Sequence, residues 1–159
     1  MKQKNITIDY LECTTAELDA ENIALIQKAM GAAENAYAPY SNFRVGAAVL
    51  LENGEIMAAG NQENAAYPSG MCAERTALYY CKALFPEVKI KTLAILALDR
   101  NNNILQEPVP PCGACRQVIS ETIERNRGSF TLLLHGSEKS YIYSDAGSLL
   151  PLSFGPSHL

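Results

Sequence analysis

The chain has 159 residues, 48% of them hydrophobic and 19% charged, which predicts a single domain over residues 1–159 with a buried core. Its formal net charge of -4 favours a small ligand over nucleic acid, because affinity for a phosphate backbone depends largely on Lys and Arg contacts. No signal segment opens the chain and no apolar run approaches the ~20 residues of a membrane span, so we expect a cytoplasmic protein without membrane contact.

The first half of the chain predicts a helix followed by a β-hairpin. The helix would start at Thr14 or Thr15 with Glu17 in its first turn, because apolar residues then recur at helical spacing to about Tyr37. Two short apolar runs separated by a turn signal indicate the hairpin. The two runs and the turn between them are Phe43 to Leu51, Ile56 to Gly60 and Glu52 to Glu55.

The second half of the chain alternates helices and strands. Helices are predicted from Met71 to about Leu84 and from Cys112 to about Asn126. The strands are predicted at Ile90 to Leu98, Phe130 to Leu134 and Ser140 to Tyr143, ahead of an irregular tail from Leu149. The first of these strands lacks alternation of polar and apolar residues, which is typical of burial on both faces. Five strands in this order predict a mixed sheet with helices packed on its faces.

Three of the five cysteines have the spacing of a catalytic zinc site. Cys112 and Cys115 lie three positions apart and would share one face at the start of a helix. Cys72 lies about forty residues earlier, at the start of another helix. Structural zinc prefers four protein ligands, so three cysteines leave one tetrahedral position for water. A Cys-x-x-Cys pair alone is also typical of redox and structural zinc sites, but a third cysteine beside Glu74 favours catalysis.

Cys13 and Cys81 are interpreted as packing residues. If Cys72 opens a helix, Cys81 lies about 13 Å along it at a rise of 1.5 Å per residue, too far to complete the same tetrahedron. Cys13 lies in the N-terminal arm without a chelating neighbour. Because free cysteine is often interior, both are expected to be small buried side chains.

Glu74 and Arg75 each have a structural and a chemical interpretation. Glu74 could be a first-turn glutamate that the helix dipole favours, or a group that moves protons beside an open metal site. Residues i and i+2 diverge within a regular helix, so Cys72 and Glu74 can meet only if Cys72 lies at the lip of the helix. Arg75 could be a solvated charge, or it could approach the Cys72 sulfur and withdraw electron density from it.

The motifs Cys72-Ala73-Glu74-Arg75 and Pro111 to Cys115 resemble those of the cytidine deaminase family, small nucleoside enzymes with a three-cysteine zinc site. The resemblance covers nearly the whole chain after residue 14. Its other segments are Ala36 to Ser41, Phe43 to Ala47, Asn61 to Tyr67 and Leu149 to Phe154. It implies a three-layer α/β/α fold with a mixed five-stranded sheet, whereas the segment through Cys13 has no counterpart.

The resemblance also implies the reaction and its metal chemistry. The expected activity is zinc-dependent hydrolytic deamination of cytidine and deoxycytidine to uridine and deoxyuridine, with release of ammonia, in pyrimidine salvage. Cys72, Cys112 and Cys115 would bind one Zn²⁺ per subunit. Glu74 would take a proton from water, pass it to N3 of the ring and assist departure of the amino group. Arg75 would tune the thiolates.

Further residues are assigned to substrate by the resemblance. Phe43 would lie against the pyrimidine ring, although a phenylalanine on a strand could also belong to the core, which is the less favoured interpretation. Asn61 and Glu63 would hold the ribose, chiefly its 3′-hydroxyl, although two polar residues there could also form a turn. The backbone at Ala73 and Cys112 would read the amide edge of the base.

Tyr67 and Phe154 resemble residues that reach a neighbouring subunit's pocket, so the resemblance implies a homotetramer. Either residue could instead pack within its own chain. Three other functions stay open: deamination of another aminopyrimidine nucleoside such as blasticidin S, editing of RNA or DNA, and a non-catalytic zinc-stabilised binding module. The acidic balance of the chain weakens the second of these.

Overall fold

The computed structural model describes residues 1–159 and contains one mixed sheet flanked by three helices. The strands are β1 (Leu11–Cys13), β2 (Arg44–Leu51), β3 (Ile56–Gly60), β4 (Ile90–Leu98), β5 (Thr131–His135) and β6 (Ser140–Tyr143). The helices are α1 (Ala20–Glu34), α2 (Ala73–Leu84) and α3 (Gly113–Asn126). The strand order is β1-β6-β5-β4-β2-β3, and β4 with β5 is the one parallel pair. No helix is both long and apolar enough to cross a membrane.

The α/β class and the mixed sheet are confirmed, but the predicted count of five strands is wrong because the sheet has six. The additional strand is β1, in the N-terminal arm for which no strand was predicted. Its three residues pair with β6, from Leu11 opposite Ile142 to Cys13 opposite Ser140. A strand this short shows no period in the sequence, and it forms because β6 would otherwise present unpaired backbone groups.

The helices form separate layers on the two faces of the sheet. On one face α1 packs through Leu25, Ile26 and Ala29 against apolar residues of β2 and β4. On the opposite face α2 and α3 pack through residues such as Leu78 and Ile119. Residues of β4 alternate between the two cores, and eight of its nine positions are buried, which explains the continuous apolar run in the sequence.

A pair of glycines allows α1 to lie close to the hairpin. Gly46 of β2 and Gly60 of β3 are directly opposite each other in the sheet. A Cβ atom on Gly46 would overlap the carbonyl oxygen of Ala29, and one on Gly60 would overlap that of Ala32. The absence of two side chains therefore sets the distance between helix and sheet.

The first helix begins later than predicted. Thr14 does donate hydrogen bonds to the Glu17 carboxylate, from its backbone N–H and from its hydroxyl, but these lie at a single 3₁₀ turn over Thr15–Glu17. The chain then extends, and Asp19 caps α1 by accepting a hydrogen bond from the backbone N–H of Asn22 at 2.7 Å. The sequence thus contains two possible N-cap residues, Thr14 and Asp19, and the spacing of apolar residues does not show which of them precedes the long helix.

Candidate active site

The three cysteines with metal-ligand spacing lie together at the N-termini of two helices. Cys72 is the N-cap residue of α2 and Cys112 that of α3, and Cys115 lies in the first turn of α3. The Sγ atoms of Cys72 and Cys112 are 3.9 Å apart, those of Cys112 and Cys115 are 3.4 Å apart, and all three lie within 4.8 Å of one another. Thiolates bound at about 2.3 Å to one tetrahedral zinc would be about 3.8 Å apart, so this donor set fits a single ion.

Cys72 and Glu74 reach the same space because α2 starts between them. Cys72 has extended backbone angles, φ -69° and ψ 152°, and the helix begins at Ala73. The sulfur at the lip and the carboxyl in the first turn therefore both line one cavity. This is the geometry that the sequence required for the two side chains to work together.

The surroundings of Cys72 favour its thiolate. Its sulfur lies within 4.8 Å of the Cys115 sulfur and accepts a hydrogen bond from Nη2 of Arg75 at 3.6 Å. These contacts lower the pKa of Cys72 to about 5 although partial burial opposes them. The neighbouring Cys72 sulfur and burial raise the pKa of Cys115. Arg75 thus makes the approach to the sulfur that the sequence left open, and its charge compensates thiolate at the site.

Glu74 is buried, with 5% of its surface exposed, rather than a solvated residue of the first helical turn. Burial is the main reason that its pKa is raised, and the neighbouring Cys72 thiolate adds to the effect. A carboxyl with a raised pKa is easier to protonate near neutral pH, as a group that both takes and returns protons requires.

The cavity has a volume of ≈ 740 Å³, within the usual range for sites that enclose small molecules. Arg75 is the one cationic side chain on its wall, which also carries the carboxyls of Glu63 and Glu74. The wall includes most of the residues predicted from the sequence: Phe43, Asn61, Glu63, Tyr67, Cys72, Ala73, Glu74, Arg75 and Cys112.

Phe43, and the two residues predicted to bind the ribose, lie near the start of β2. Phe43 is 40% exposed on the cavity wall, so the interpretation as a core phenylalanine is wrong. Asn61 accepts a hydrogen bond from the N–H of Val45 at 2.7 Å and donates one to the carbonyl of Phe43 at 3.0 Å. Glu63 accepts from the backbone N–H of Tyr40 at 2.8 Å. Both polar side chains thus support the local backbone and also face the cavity.

Tyr67 and Phe154 occupy different places. Tyr67 lies on a 3₁₀ turn, Tyr67–Ser69, and lines the cavity with 92% of its surface exposed. Phe154 does not line the cavity of its own chain. Its ring is 59% exposed and stacks on His158 with 5.4 Å between centroids, while its carbonyl accepts a hydrogen bond from Gln117. The structure therefore separates Phe154 from the other predicted residues.

Several cavity residues were not identified as functional from the sequence. They are Tyr40, Ser41, Val45, Gln62, Asn64, Gly70, Met71, Ile95, Val109 and Pro110. Tyr40 and Ser41 belong to a segment that carries the family resemblance, and Pro110 precedes the second cysteine motif, so their motifs were the available signal. Met71 and Val109 have no chemical signature, because an apolar residue beside a loop reads the same in a core or a cavity.

Comparison with known proteins agrees with the geometry. The family model described as the cytidine and deoxycytidylate deaminase zinc-binding region matches residues 19–126. A cytidine deaminase of Halalkalibacterium halodurans is 41% identical over 130 residues, 82% of this chain and 91% of that protein. One of Sporosarcina psychrophila is 41% identical over 136 residues, 85% of this chain and 92% of that protein.

Solved structures give the same result. The crystal structure of cytidine deaminase from Burkholderia pseudomallei has a TM-score of 0.70 and 38% identity, over 83% of this chain and 98% of that one. The crystal structure of cytidine deaminase from Mycobacterium tuberculosis has a TM-score of 0.64 and 33% identity, over 86% of this chain and 99% of that one. Family model, relatives and fold agree over the segment that holds the three sulfurs, and the chain belongs to the cytidine and deoxycytidylate deaminase family.

Proposed function

We propose that this protein catalyses the zinc-dependent hydrolytic deamination of cytidine and deoxycytidine to uridine and deoxyuridine, with release of ammonia. One observation carries the proposal: two of the three sulfurs spaced for a single zinc line the same cavity as a buried carboxyl of raised pKa. Relatives and solved structures named cytidine deaminase support the choice of substrate.

Cys72, Cys112 and Cys115 would hold the zinc ion, which as a Lewis acid would lower the pKa of a water molecule. Glu74 accepts the proton that this water loses on attack at C4, and then donates it to N3 of the ring. Glu74 next takes the remaining hydroxyl proton and delivers it to the exocyclic nitrogen, which leaves as ammonia. The sum adds one water molecule and returns Glu74 to its starting state.

The remaining cavity residues bind and orient the nucleoside in this proposal. Phe43 offers an aromatic face to the pyrimidine, and Asn61 and Glu63 offer polar groups to the ribose. Ala73 is the first residue of α2, so its backbone N–H has no partner within the helix and can bind the base. Arg75 compensates the charge of the thiolates.

The charges on the cavity wall favour a nucleoside over a nucleotide or a nucleic acid. A phosphate group needs cationic or multiple N–H donors, and Arg75, the one cation of the wall, already contacts the Cys72 sulfur. Glu63 adds negative charge beside the expected sugar position, and the formal net charge of the chain is -4. A free nucleoside carries no charge that these groups would repel.

The test is the substitution Glu74→Gln, which keeps the shape of the side chain and removes its proton transfer. Zinc content and nucleoside binding should stay near wild type, whereas turnover should fall at least about 10²-fold. The ultraviolet change from cytidine to uridine reports turnover, and atomic absorption reports zinc. Blasticidin S assayed beside cytidine separates the two nucleoside substrates. Near-normal turnover by the Glu74→Gln variant would contradict the mechanism.

We also propose that the protein works as a homotetramer in the cytoplasm, in pyrimidine salvage. The outward position of Phe154, away from its own cavity, supports a role in a neighbouring subunit's pocket. A reducing cytoplasm would keep the three sulfurs free for zinc. Light scattering gives the oligomeric state. Mixing inactive Glu74→Gln subunits with Phe154→Ala subunits should restore part of the activity if Phe154 acts across an interface, and should restore none if it acts within its own chain.

A further inference from the structure

Ser41 joins two residues that the proposed function places against substrate, and it has no role of its own in that proposal. Its hydroxyl donates a hydrogen bond to Oε1 of Glu63 and accepts one from the backbone N–H of Phe43 at 3.0 Å. Ser41 itself lies on the cavity wall. A single side chain therefore connects the carboxylate proposed for the ribose with the aromatic ring proposed for the base.

The carboxylate of Glu63 has one acceptor position left after its bonds within the chain. Oε2 accepts from the backbone N–H groups of Tyr40 at 2.8 Å and Ser41 at 3.3 Å, and Oε1 accepts from the Ser41 hydroxyl. Because a carboxylate offers about four lone-pair positions, the remaining one is on Oε1. The Ser41 hydroxyl is also the main reason that the pKa of Glu63 is lowered, so this group accepts hydrogen bonds and does not donate them.

The same hydroxyl fixes the backbone that leads into β2. The N–H of Phe43 donates to Ser41, while the carbonyl of Phe43 accepts from the side chain of Asn61. Asn42, between Ser41 and Phe43, has a left-handed backbone with φ of 56°, which asparagine tolerates better than most residues. Without the hydroxyl, the N–H of Phe43 would lose its acceptor and the ring would lose its fixed position.

We propose that Ser41 is a positioning residue for the nucleoside, which aims the free lone pair of Glu63 at the 3′-hydroxyl of the sugar and holds Phe43 against the pyrimidine. The identity of the ligand rests on the proposed function. Ser41 acts through its two neighbours and not on the reacting atoms. Its loss should therefore change KM more than kcat.

The experiment compares cytidine with 3′-deoxycytidine in wild type, Ser41→Ala, Ser41→Thr and Ser69→Ala. Ser41→Ala should raise KM for cytidine about tenfold, change kcat less than about threefold, and reduce the preference for cytidine over 3′-deoxycytidine by about tenfold. Ser41→Thr keeps the hydroxyl and should restore the preference. Ser69 is exposed and off the cavity wall, so Ser69→Ala should leave KM, kcat and the preference unchanged.

A loss of activity by Ser41→Ala that is equal for both nucleosides leaves the preference unchanged. That result would indicate a merely structural role and would overturn the proposal. Calorimetric binding of both nucleosides to Glu74→Gln protein, with and without Ser41→Ala, gives the preference without turnover. If wild type deaminates neither nucleoside but Ser41→Ala abolishes a preference in binding, the proposed reaction fails and the role of Ser41 stands. If Ser41→Ala does not fold, Ser41→Cys replaces it with the same expected results, because a thiol is a much weaker donor.

Discussion

The cysteines in and directly before α2 and α3 differ in their chemistry, because only some of them lie at the start of a helix. Cys72 and Cys112 are the N-cap residues of the two helices, whereas Cys81 lies within α2 and is fully buried in the apolar core. Burial also raises the pKa of the Cys81 thiol, which keeps it unreactive. The interpretation of Cys81 as a packing residue is confirmed by its place in this core.

Substitution of single cysteines distinguishes those proposed to bind zinc from the one that packs in the core. Cys112→Ala should release zinc, because two sulfurs hold the ion far less well than three. Cys81→Ala is the matched control: it should retain one zinc per chain and lose roughly 1 kcal/mol of stability through a small cavity. Atomic absorption and urea denaturation measure these outcomes. Unchanged zinc content in Cys112→Ala would contradict the ligand set.

His135 should make the stability of the fold depend on pH. It is 5% exposed, its Nδ1 lies 2.8 Å from the hydroxyl of Ser140, and burial lowers its pKa. The unfolded chain therefore binds a proton near the usual value of about 6.5, while the folded chain does not until a lower pH. The stability that neutral His135 contributes is therefore complete above about pH 6.5, and it is lost as the pH falls from there toward the lower pKa of the folded state.

The measurement is urea denaturation at about pH 7.5 and about pH 5.5. The free energy of unfolding of wild type should fall more between these two values than that of His135→Asn, by up to about 1.4 kcal/mol per unit of pKa difference. An equal fall in both proteins would mean that His135 is not the group responsible.

At the scale of elements, the contact between α1 and the hairpin depends on the glycine pair. Gly46→Ala should destabilise the fold by about 1–3 kcal/mol, because its Cβ would overlap the backbone of Ala29 and force the helix away. Gly31→Ala is the control within α1: no atom lies within 4 Å of a Cβ there, and alanine should stabilise the helix by up to about 1 kcal/mol. Thermal unfolding of both variants gives the sign of each change in stability. A Gly46→Ala variant as stable as wild type would refute the close approach of helix and hairpin.

Elements with a strong sequence pattern were predicted well. Ile90 to Leu98 matches β4 in both bounds, and the two helices predicted to start at the cysteine motifs match α2 and α3 to within a residue or two. Their starts were visible because a turn or loop changes there to a helical run. The late start of α1 and the existence of β1 were missed, because the first depended on a choice between two caps and the second on pairing with β6, far away in the chain.

At the scale of the molecule, the metal should connect the two helices that carry its ligands. Cys72 on one side and Cys112 with Cys115 on the other bring the starts of α2 and α3 together. A ligand that binds only the folded state stabilises it, so removal of zinc by a chelator should lower Tm, and added zinc should restore it. The Cys112→Ala variant should show no response to the chelator. A Tm of wild type that does not change on complete zinc removal would contradict this connection.

The candidate site was largely predictable, because its residues belong to dense local motifs. Cys72, Glu74 and Arg75 lie within four positions of the sequence, and their geometry follows from one helix start. The position of Phe154 could not be predicted in the same way, because it depends on where an irregular tail lies against α3. The contact between Ser41 and Glu63 also required the folded backbone, since it joins residues 22 positions apart.

The two ends of the sheet differ in how much backbone they expose. β1 ends one side and is three residues long, which gives another strand little to pair with. β3 ends the other side with five residues and a hydrogen-bonded neighbour on one flank only. Association of copies by strand addition would thus have to join β3 to β3 about a two-fold axis. Such a contact uses up the free flank of both copies, so it closes at a pair and cannot propagate into a fibre.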